Sequence, residues 1–365
     1  MSVDIQKLLA FALKQGASDL HLSSGMSPML RLSGEITRID VPPFDPEALA
    51  SGLEGIMNEK QREEFHTNLE VDFAIELGDM GRFRVNAFQH TRGPGAVLRT
   101  IPTEVPSLEQ LGMPKVLGDL SMKERGLILV TGPTGSGKST TLSAMVNHIN
   151  QNHRGHIITI EDPIEFVHKP QSCLVNQREV GRHTHSFANA LRSALREDPD
   201  VILVGELRDL ETTQLAITAA ETGHVVFGTL HTNSAVKTVD RIIDVFPAAQ
   251  QAQIRSMFSE SIVGIVSQTL VKKKDGKGRV CAQEILIATH AVRNLIREEK
   301  ASQMVTVMQT GKSQGMQTMD QCLREAVARG DITLEAALQK AHNPQAFAKP
   351  QLVENENANG ARKVA

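Results

Sequence analysis

Tryptophan and tyrosine are absent from this 365-residue chain, and twelve phenylalanines are its only aromatics. Proteins that bind single-stranded nucleic acid commonly stack bases on aromatic side chains, and few platforms of that kind can be built here. Nor is there an excess of positive charge. The 39 Lys and Arg against 42 Asp and Glu leave a formal charge of -3, which argues against a generally basic nucleic-acid binder. Cysteine is scarce: Cys173, Cys281 and Cys322 stand far apart and form no CxxC pair. That pattern fits a reducing cytoplasm and excludes a four-cysteine zinc site from this chain alone. No apolar run approaches the ~20 residues of a membrane span, and the first residues mix acid and base with short apolar stretches, unlike a secretory signal. The expectation is a cytoplasmic protein that reaches a membrane only through partners, without direct insertion and without a nucleic-acid ligand.

What is present suits two globular domains, with 40% hydrophobic and 22% charged residues. Residues 5–14 have helical spacing, 18–22 alternate as a strand does, and 29–39 read as a hairpin across Ser33-Gly34. A helical pair over 45–69 and strands over 72–77, 81–89 and 95–100 complete a small α+β domain, 1–101. The proline-containing stretch 102–110 reads as a hinge linker. From about 111 the pattern changes to short continuous apolar runs, 126–131, 156–161, 201–205 and 225–230, of the kind buried on both faces of a parallel sheet. Helical segments at 139–150, 187–196 and 211–221 separate them, so the second domain, 111–347, reads as doubly wound α/β. A hairpin over roughly 269–287 turns at Lys274-Asp275-Gly276-Lys277-Gly278, and its basic residues Lys272, Lys273, Lys274, Lys277 and Arg279 read as a solvated hairpin in preference to a docking patch. Helices follow to about 341. From Asn343 onward the chain is polar and aperiodic, which predicts a flexible tail, assigned to 348–365.

Chemistry concentrates in the second domain. Gly132-Pro133-Thr134-Gly135-Ser136-Gly137-Lys138-Ser139 fits GxxxxGK[ST], between a strand and a helix as that motif requires. Glycines let backbone N–H groups close around a β-phosphate at a helix N-terminus. Lys138 would reach the β- and γ-phosphates of ATP, and the Ser139 hydroxyl would ligate Mg²⁺. Glu206 ends the apolar run 201–205, where a second Mg²⁺-supporting carboxylate belongs; Asp is commoner there, so Glu206 would act through a water. Glu161-Asp162-Pro163-Ile164-Glu165 follows another strand. Taken alone it reads as a solvated acidic loop, or as the group that orients water for attack on the γ-phosphate. His224 and His231 bracket the strand 225–230, too far apart for a metal pair, and either could sense a γ-phosphate by a hydrogen bond.

In order, GPTGSGKSTT, ITIEDPIEF, LREDPDVILVGELRD and AAETGHVVFGTLHTNSA resemble the Walker A, Asp box, Walker B and His box of the secretion and pilus ATPases. Outside that core, GASDLHL (16–22), GRFRVNAF (81–88) and GPGAVLRT (93–100) resemble the N-terminal domain of the type IV pilus retraction branch, the PilT family. AVRNLIRE (291–298) is similar to that family's AIRNLIRE, with Val for the second-position Ile. The likeness covers nearly the whole chain. Too few cysteines and too short an N-terminal part set it apart from assembly and type II secretion ATPases.

The resemblance implies a PAS-like α+β domain before a RecA-like ATPase domain, assembled as a homohexamer. In that architecture nucleotide sits between the domains and the ring is peripheral at the inner membrane through a pilus base protein. It assigns Glu165 as the water-orienting base, extends the nucleotide loop to Thr140, and gives Arg84 and Arg99 the phosphates to clasp, with His231 nearby. Without it, two strand arginines read as surface ion pairs. Spacing in AVRNLIRE puts Val292, Leu295 and Ile296 on one helix side and Arg293 and Arg297 on another. There the arginines are either merely solvated or free to face a partner; the resemblance implies the second, in mechanical output. An accessory paralogue of the PilU kind shares this core and could be a partner or the alternative identity. A RecA-like nucleic-acid translocase and a nucleotide-gated binding module are the other readings; the acids Glu165 and Glu206 count against the module.

Overall fold

The computed structural model describes residues 3–32, 34–101 and 104–347; Ser33 and the segment expected to be the tail lie outside the described residues, as do 102 and 103 of the expected linker. Contacts group the chain into two compact units, Met1–Lys123 with Ser139–Glu206, and Glu124–Lys138 with Leu207 onward.

The first unit opens with α1 (Ile5–Lys14), β1 (Asp19–Ser23), β2 (Met29–Leu32), β3 (Glu35–Arg38), α2 (Pro46–Glu54), α3 (Glu59–Asn68), β4 (Glu70–Glu76), β5 (Arg82–His90) and β6 (Gly93–Ile101). The six strands form an antiparallel sheet in the order β3-β2-β1-β6-β5-β4. Alternation decides its two faces. Leu20, Leu22, Phe83, Val85, Ala87 and Leu98 point to one side and share a core with Leu9 of α1, Leu49 and Leu53 of α2 and Phe65 of α3. The other face is mixed, with Arg82, Arg84, Asn86 and His21 beside Phe88, Val97 and Ile101. There Arg31, Asp19, Arg99 and Arg84 form one row across β2, β1, β6 and β5. The unit continues with α4 (Lys115–Ser121), then α5 (Lys138–Asn152), β8 (His156–Glu161), β9 (Leu174–Glu179), α6 (Phe187–Ala194) and β10 (Val201–Val204). Here β10, β8 and β9 pair in parallel, in that order.

In the second unit β7 (Gly126–Thr131), α7 (Leu210–Glu221) and β11 (Val225–Leu230) are followed by α8 (Ala235–Asp244), α9 (Ala248–Ser261), β12 (Ile262–Lys272) and β13 (Arg279–Ile287). Strands β11 and β12 flank β7 in parallel, and β13 closes the row antiparallel to β12. Every residue of β7 and β11 is buried, as their unbroken apolar runs predict. The remaining helices are α10 (His290–Arg297), α11 (Met304–Thr310), α12 (Met319–Ala328), α13 (Leu334–Leu338) and α14 (Pro344–Phe347).

Four expectations need correction. The hairpin begins at Ile262 rather than near 269, because the buried run 262–267 also pairs with β7. Residues 235–261 form two helices where the sequence reading assigned no element. Strand β9 escaped notice because Leu174-Val175-Asn176-Gln177-Arg178-Glu179 lies in a half-exposed polar setting. And the stretch from Asn343 is not aperiodic throughout: Pro344–Phe347 is helical, with Phe347 buried and its ring 5.2 Å from the Arg324 guanidinium.

Candidate nucleotide and hydrolysis site

The phosphate loop leaves β7 at Thr131 and enters α5 at Lys138. Three of its glycines are left-handed in φ: Gly132 at 144°, Gly135 at 76° and Gly137 at 88°. At Gly132 the need is also steric, since a Cβ there would lie 2.3 Å from the Gln268 carbonyl oxygen and 2.7 Å from Ser136 Oγ. From β12, Gln268 Nε2 donates to Ser136 O at 2.8 Å and fixes the loop's far side. Ser136 Oγ is buried and has no hydrogen-bond partner among the described residues. Lys138 curls over the loop, its Nζ donating to Gly132 O at 2.9 Å and to Pro133 O at 3.3 Å. Pro133, Thr134 and Gly135 are exposed at the loop's rim. Ser139 and Thr140, half-buried, occupy the first turn of α5.

His231 is exposed just past β11. His224 sits at the opposite end of that strand, where its Nδ1 lies 3.0 Å from Ala219 O at the C-terminus of α7. Six strand residues at about 3.3 Å each separate the two. His224 is therefore a helix-end ligand at the far end of the strand from the phosphate loop, contrary to the sensing role considered for it.

The first unit holds the acids. Glu161 ends β8, and its Oε1 accepts from Thr159 Oγ1 at 2.7 Å and Gln177 Nε2 at 3.2 Å. Its Oε2 lies 3.5 Å from the Glu165 N–H. Burial pushes Glu161 up to about 7, against these hydrogen bonds, which pull it down. Glu165, four residues on, is exposed. Its predecessor Ile164 is buried and donates its N–H to Glu179 Oε2 at 3.1 Å. Glu206 stands just beyond β10, and Gly205 N donates to Ile160 O at 2.8 Å, setting this segment beside the end of β8.

Both predicted arginines lie on the mixed face of the six-stranded sheet. Arg84 forks onto Asp72, with Nε 3.2 Å from each carboxylate oxygen and Nη2 on Oδ2. That hydrogen-bonded pairing raises the Arg84 pKa against burial, and the charges of Glu165 and Asp162 add to the rise. Arg99 Nε donates to the buried Asp19 at 2.8 Å. Sequence reasoning missed Arg82, two residues before Arg84 and hence on the same face. Its Nη2 meets Glu179 Oε2 at 2.9 Å, and the two side chains are only 12% and 8% exposed. Period-two alternation from Arg84 was the available signal. The output segment also differs from expectation: Arg293 is not free. Its Nη1 donates to the Ser259 carbonyl at 2.6 Å and to the Glu260 carbonyl, at the end of α9, and its Nε to Ala288 O at 3.1 Å.

A family model described as type II/IV secretion system protein matches residues 1–339. The chain is 59% identical to the type IV pilus retraction ATPase PilT of Pseudomonas aeruginosa, over 94% of this chain and 100% of that protein. The chain belongs to the type II/IV secretion system family, in its PilT branch. Within the same family it is 43% identical to the type IV pilus ATPase PilU of Pseudomonas aeruginosa, covering 93% of this chain and 89% of PilU. A crystal structure of the pilus retraction motor PilT with bound ADP superposes with a TM-score of 0.89 at 48% identity, over 94% of this chain and 99% of that one. No helix among the described residues is long and apolar enough to cross a membrane.

Proposed function

We propose that this chain is an ATP-hydrolysing motor that powers type IV pilus retraction and hence twitching motility. The observation that carries the reading is the glycine cradle under Lys138. Gly132 admits no Cβ, and the Lys138 ammonium rests on the loop's own carbonyls at 2.9 and 3.3 Å. Phosphate oxygens carry charge where these carbonyls do not, so an ammonium bond to phosphate has both partners ionised and competes with the bonds to the loop. In this reading Gly132 to Thr140 hold the phosphates and Arg84 and Arg99 neutralise charge on them. His231 adds a hydrogen bond. Glu165, exposed and therefore open to solvent, orients water and takes its proton. Residues 1–101 form the PAS-like domain, 102–110 the linker and 111–347 the ATPase domain.

Mg²⁺ fits the residues present. Among the described residues no three His, Cys, Asp or Glu cluster into a cage, and Mg²⁺ needs none, since it takes few protein ligands and keeps waters and phosphate oxygens. The Ser139 hydroxyl would hold it directly and Glu206 through a water. When bound it would neutralise β- and γ-phosphate charge. The protein partners in this reading are five further copies in a hexameric ring, an inner-membrane pilus base protein that keeps the ring peripheral at the membrane, and a PilU-like paralogue. The higher identity to PilT than to PilU favours the motor over the accessory role.

Phosphate release by the purified full chain tests the chemistry. Lys138→Ala should abolish it and weaken ATP binding; hydrolysis within a few-fold of the unsubstituted protein would sink the loop assignment. Deleting the gene and counting surface pili tests the motor: excess, static pili are expected, and unchanged piliation with normal twitching would reject the role.

A further inference from the structure

The acidic loop that carries Glu165 spans from β8 to Phe166 and has no regular hydrogen bonding of its own. Two carboxylates hold its backbone N–H groups, and Gln177 Nε2 donates to Phe166 O at 2.9 Å on the far side of Glu165. Glu161 Oε2 accepts the Glu165 N–H at a long 3.5 Å, a weak tether. Glu179, at the end of β9, accepts the Ile164 N–H at 3.1 Å in a buried setting. That second bond is the firmer one, and it places the residue immediately before Glu165.

A buried carboxylate cannot hold a backbone N–H as an anion unless its charge is compensated. Arg82 supplies the compensation: its Nη2 lies 2.9 Å from the same Oε2 that receives Ile164 N–H. One oxygen thus joins β5 of the six-stranded sheet to the peptide preceding Glu165. The anchor points on either side are rigid. Arg82 is in register with Ile101 on β6 and with Glu76 on β4. The Glu179 backbone pairs with Glu161 in the parallel β8–β9 ladder, its N–H donates to His183 Nδ1 at 3.0 Å, and Val180 N–H donates to Glu161 O at 2.9 Å.

We infer that Arg82 and Glu179 form a positioning pair that sets the acidic loop, so that the N-terminal sheet fixes the place of the water-orienting Glu165 within the same subunit. The inference rests on the reading of Glu165 as the base. Neither residue of the pair touches the reacting atoms in it; both act through the Ile164 peptide. A base displaced by about 1 Å costs on the order of 10²-fold in rate without altering nucleotide affinity. The pair therefore governs kcat and leaves KM alone, which sets Arg82 apart from Arg84, its neighbour on the same face.

Steady-state ATPase assays on the full chain test this, with binding of fluorescent ADP and thermal melting measured on the same samples. Arg82→Met keeps the apolar stem packed and removes the charge. It should lower kcat by about 10-fold or more with KM and ADP affinity within about 3-fold. Arg82→Lys should recover a large part of the loss, and Glu179→Gln should resemble Arg82→Met. In a Glu165→Gln background Arg82→Met should produce no further loss, because the group being positioned is already gone. If Glu165→Gln is inactive while Arg82→Met keeps full kcat, the pair is structural only and the inference fails. A parallel loss of kcat/KM and ADP affinity in Arg82→Met would instead make Arg82 a nucleotide ligand, which also overturns it. Should Glu165→Gln itself hydrolyse ATP normally, the base assignment fails independently of the pair. If Arg82→Met melts far below the assay temperature, the near-isosteric Glu179→Gln decides: an unchanged kcat, or kcat and ADP affinity falling together, rejects the positioning role.

Discussion

Arg84 and Arg99 stand directly opposite one another on β5 and β6, and each is held by its own aspartate, Asp72 for Arg84 and Asp19 for Arg99. Like charges placed opposite on a sheet repel, and the two aspartates offset that repulsion while leaving both guanidinium groups on one face. The aspartates differ in burial. Asp19 is 5% exposed, whereas Asp72 is 43% exposed. Burial alone would raise the Asp19 pKa, but hydrogen bonds from Arg99 and Ser18 overcome it and hold the carboxyl below its ordinary value.

Replacing either arginine with Ala should lower ATPase activity, and only Arg99→Ala should also lower stability. The Arg84–Asp72 pair is solvated on both sides, and pairs of that kind contribute ~0–1 kcal/mol. Removing Arg99 leaves a buried carboxylate with Arg31 at 3.7 Å as its remaining cation partner. The pH dependence has a definite sign. Asp19 stabilises the fold above its unfolded pKa, and that contribution is lost as pH falls through its lowered folded value. Arg99→Ala should therefore melt lower at neutral pH and converge with the unsubstituted protein in acid. Equal melting deficits at all pH values would remove Asp19 from the explanation, and unchanged ATPase rates in both variants would remove the phosphates.

The two carboxylates of the acidic loop should separate by chemistry and by pH. Glu165→Gln should keep nucleotide binding and lose turnover by about 10²-fold or more, with Glu161→Gln hurt less. Glu161 is pushed up to about 7 by burial, so the stability it lends is complete below its unfolded pKa and lost as pH rises through about 7. Glu161→Gln mimics the protonated form. It should gain on the unsubstituted protein by about 2–4 °C in melting temperature at pH 8 and lose that advantage near pH 5. A reversed activity ranking would move the base to Glu161, and a pH-independent difference would contradict the burial of its charge.

How much of this was legible beforehand follows the physics of each signal. Buried parallel strands such as Val225–Leu230 announce themselves, since both faces must be apolar, and the phosphate loop is legible because its glycines are required by backbone geometry. Strand β9 was not, because an edge ladder of polar residues has no hydrophobic period. The Arg82–Glu179 pair joins residues 97 positions apart, and a lone buried acid at a strand end gives no hint of its partner. The AVRNLIRE segment was half legible. Its apolar stripe, with Val292 and Ile296 buried, is as the spacing predicts, but nothing local says that Arg293 reaches the end of another helix.

Alanine at two glycines of the phosphate loop should give unequal results. At Gly135, φ is 76° and nothing lies within 4 Å of the added Cβ, so the cost is the left-handed backbone alone, roughly 1–2 kcal/mol. At Gly132, φ is 144° and the Cβ would meet the Gln268 carbonyl oxygen at 2.3 Å, a backbone atom that cannot swing aside. Gly132→Ala should therefore lose ATP binding altogether and melt markedly lower, while Gly135→Ala keeps measurable binding. Equal retention of ATP affinity in both variants would show that the cradle relaxes more freely than this packing allows.

The output segment yields a prediction different from the one its spacing suggests. Carbonyls at a helix C-terminus lack intrahelical partners and carry partial negative charge. Arg293 satisfies two of them at the end of α9, where that helix passes directly into β12. Its removal should leave those carbonyls without that donor and cost about 1.5–3 kcal/mol, the range for hydrogen bonds to a charged group. Arg297 is different. Its Nη1 meets Glu260 Oε1, but the two side chains are 37% and 60% exposed, and a pair that solvated contributes ~1 kcal/mol at most. A double replacement would therefore confound stability with output, and the single variants separate them. Arg297→Ala should keep its melting temperature and basal ATPase rate yet abolish twitching if the exposed basic side engages a partner. Arg293→Ala should lose stability first, with Arg293→Lys recovering part of it. Melting temperature, phosphate release and surface motility on the same three variants decide the matter. Normal twitching by Arg297→Ala beside a destabilised Arg293→Ala would assign the segment to holding α9 in place and nothing more.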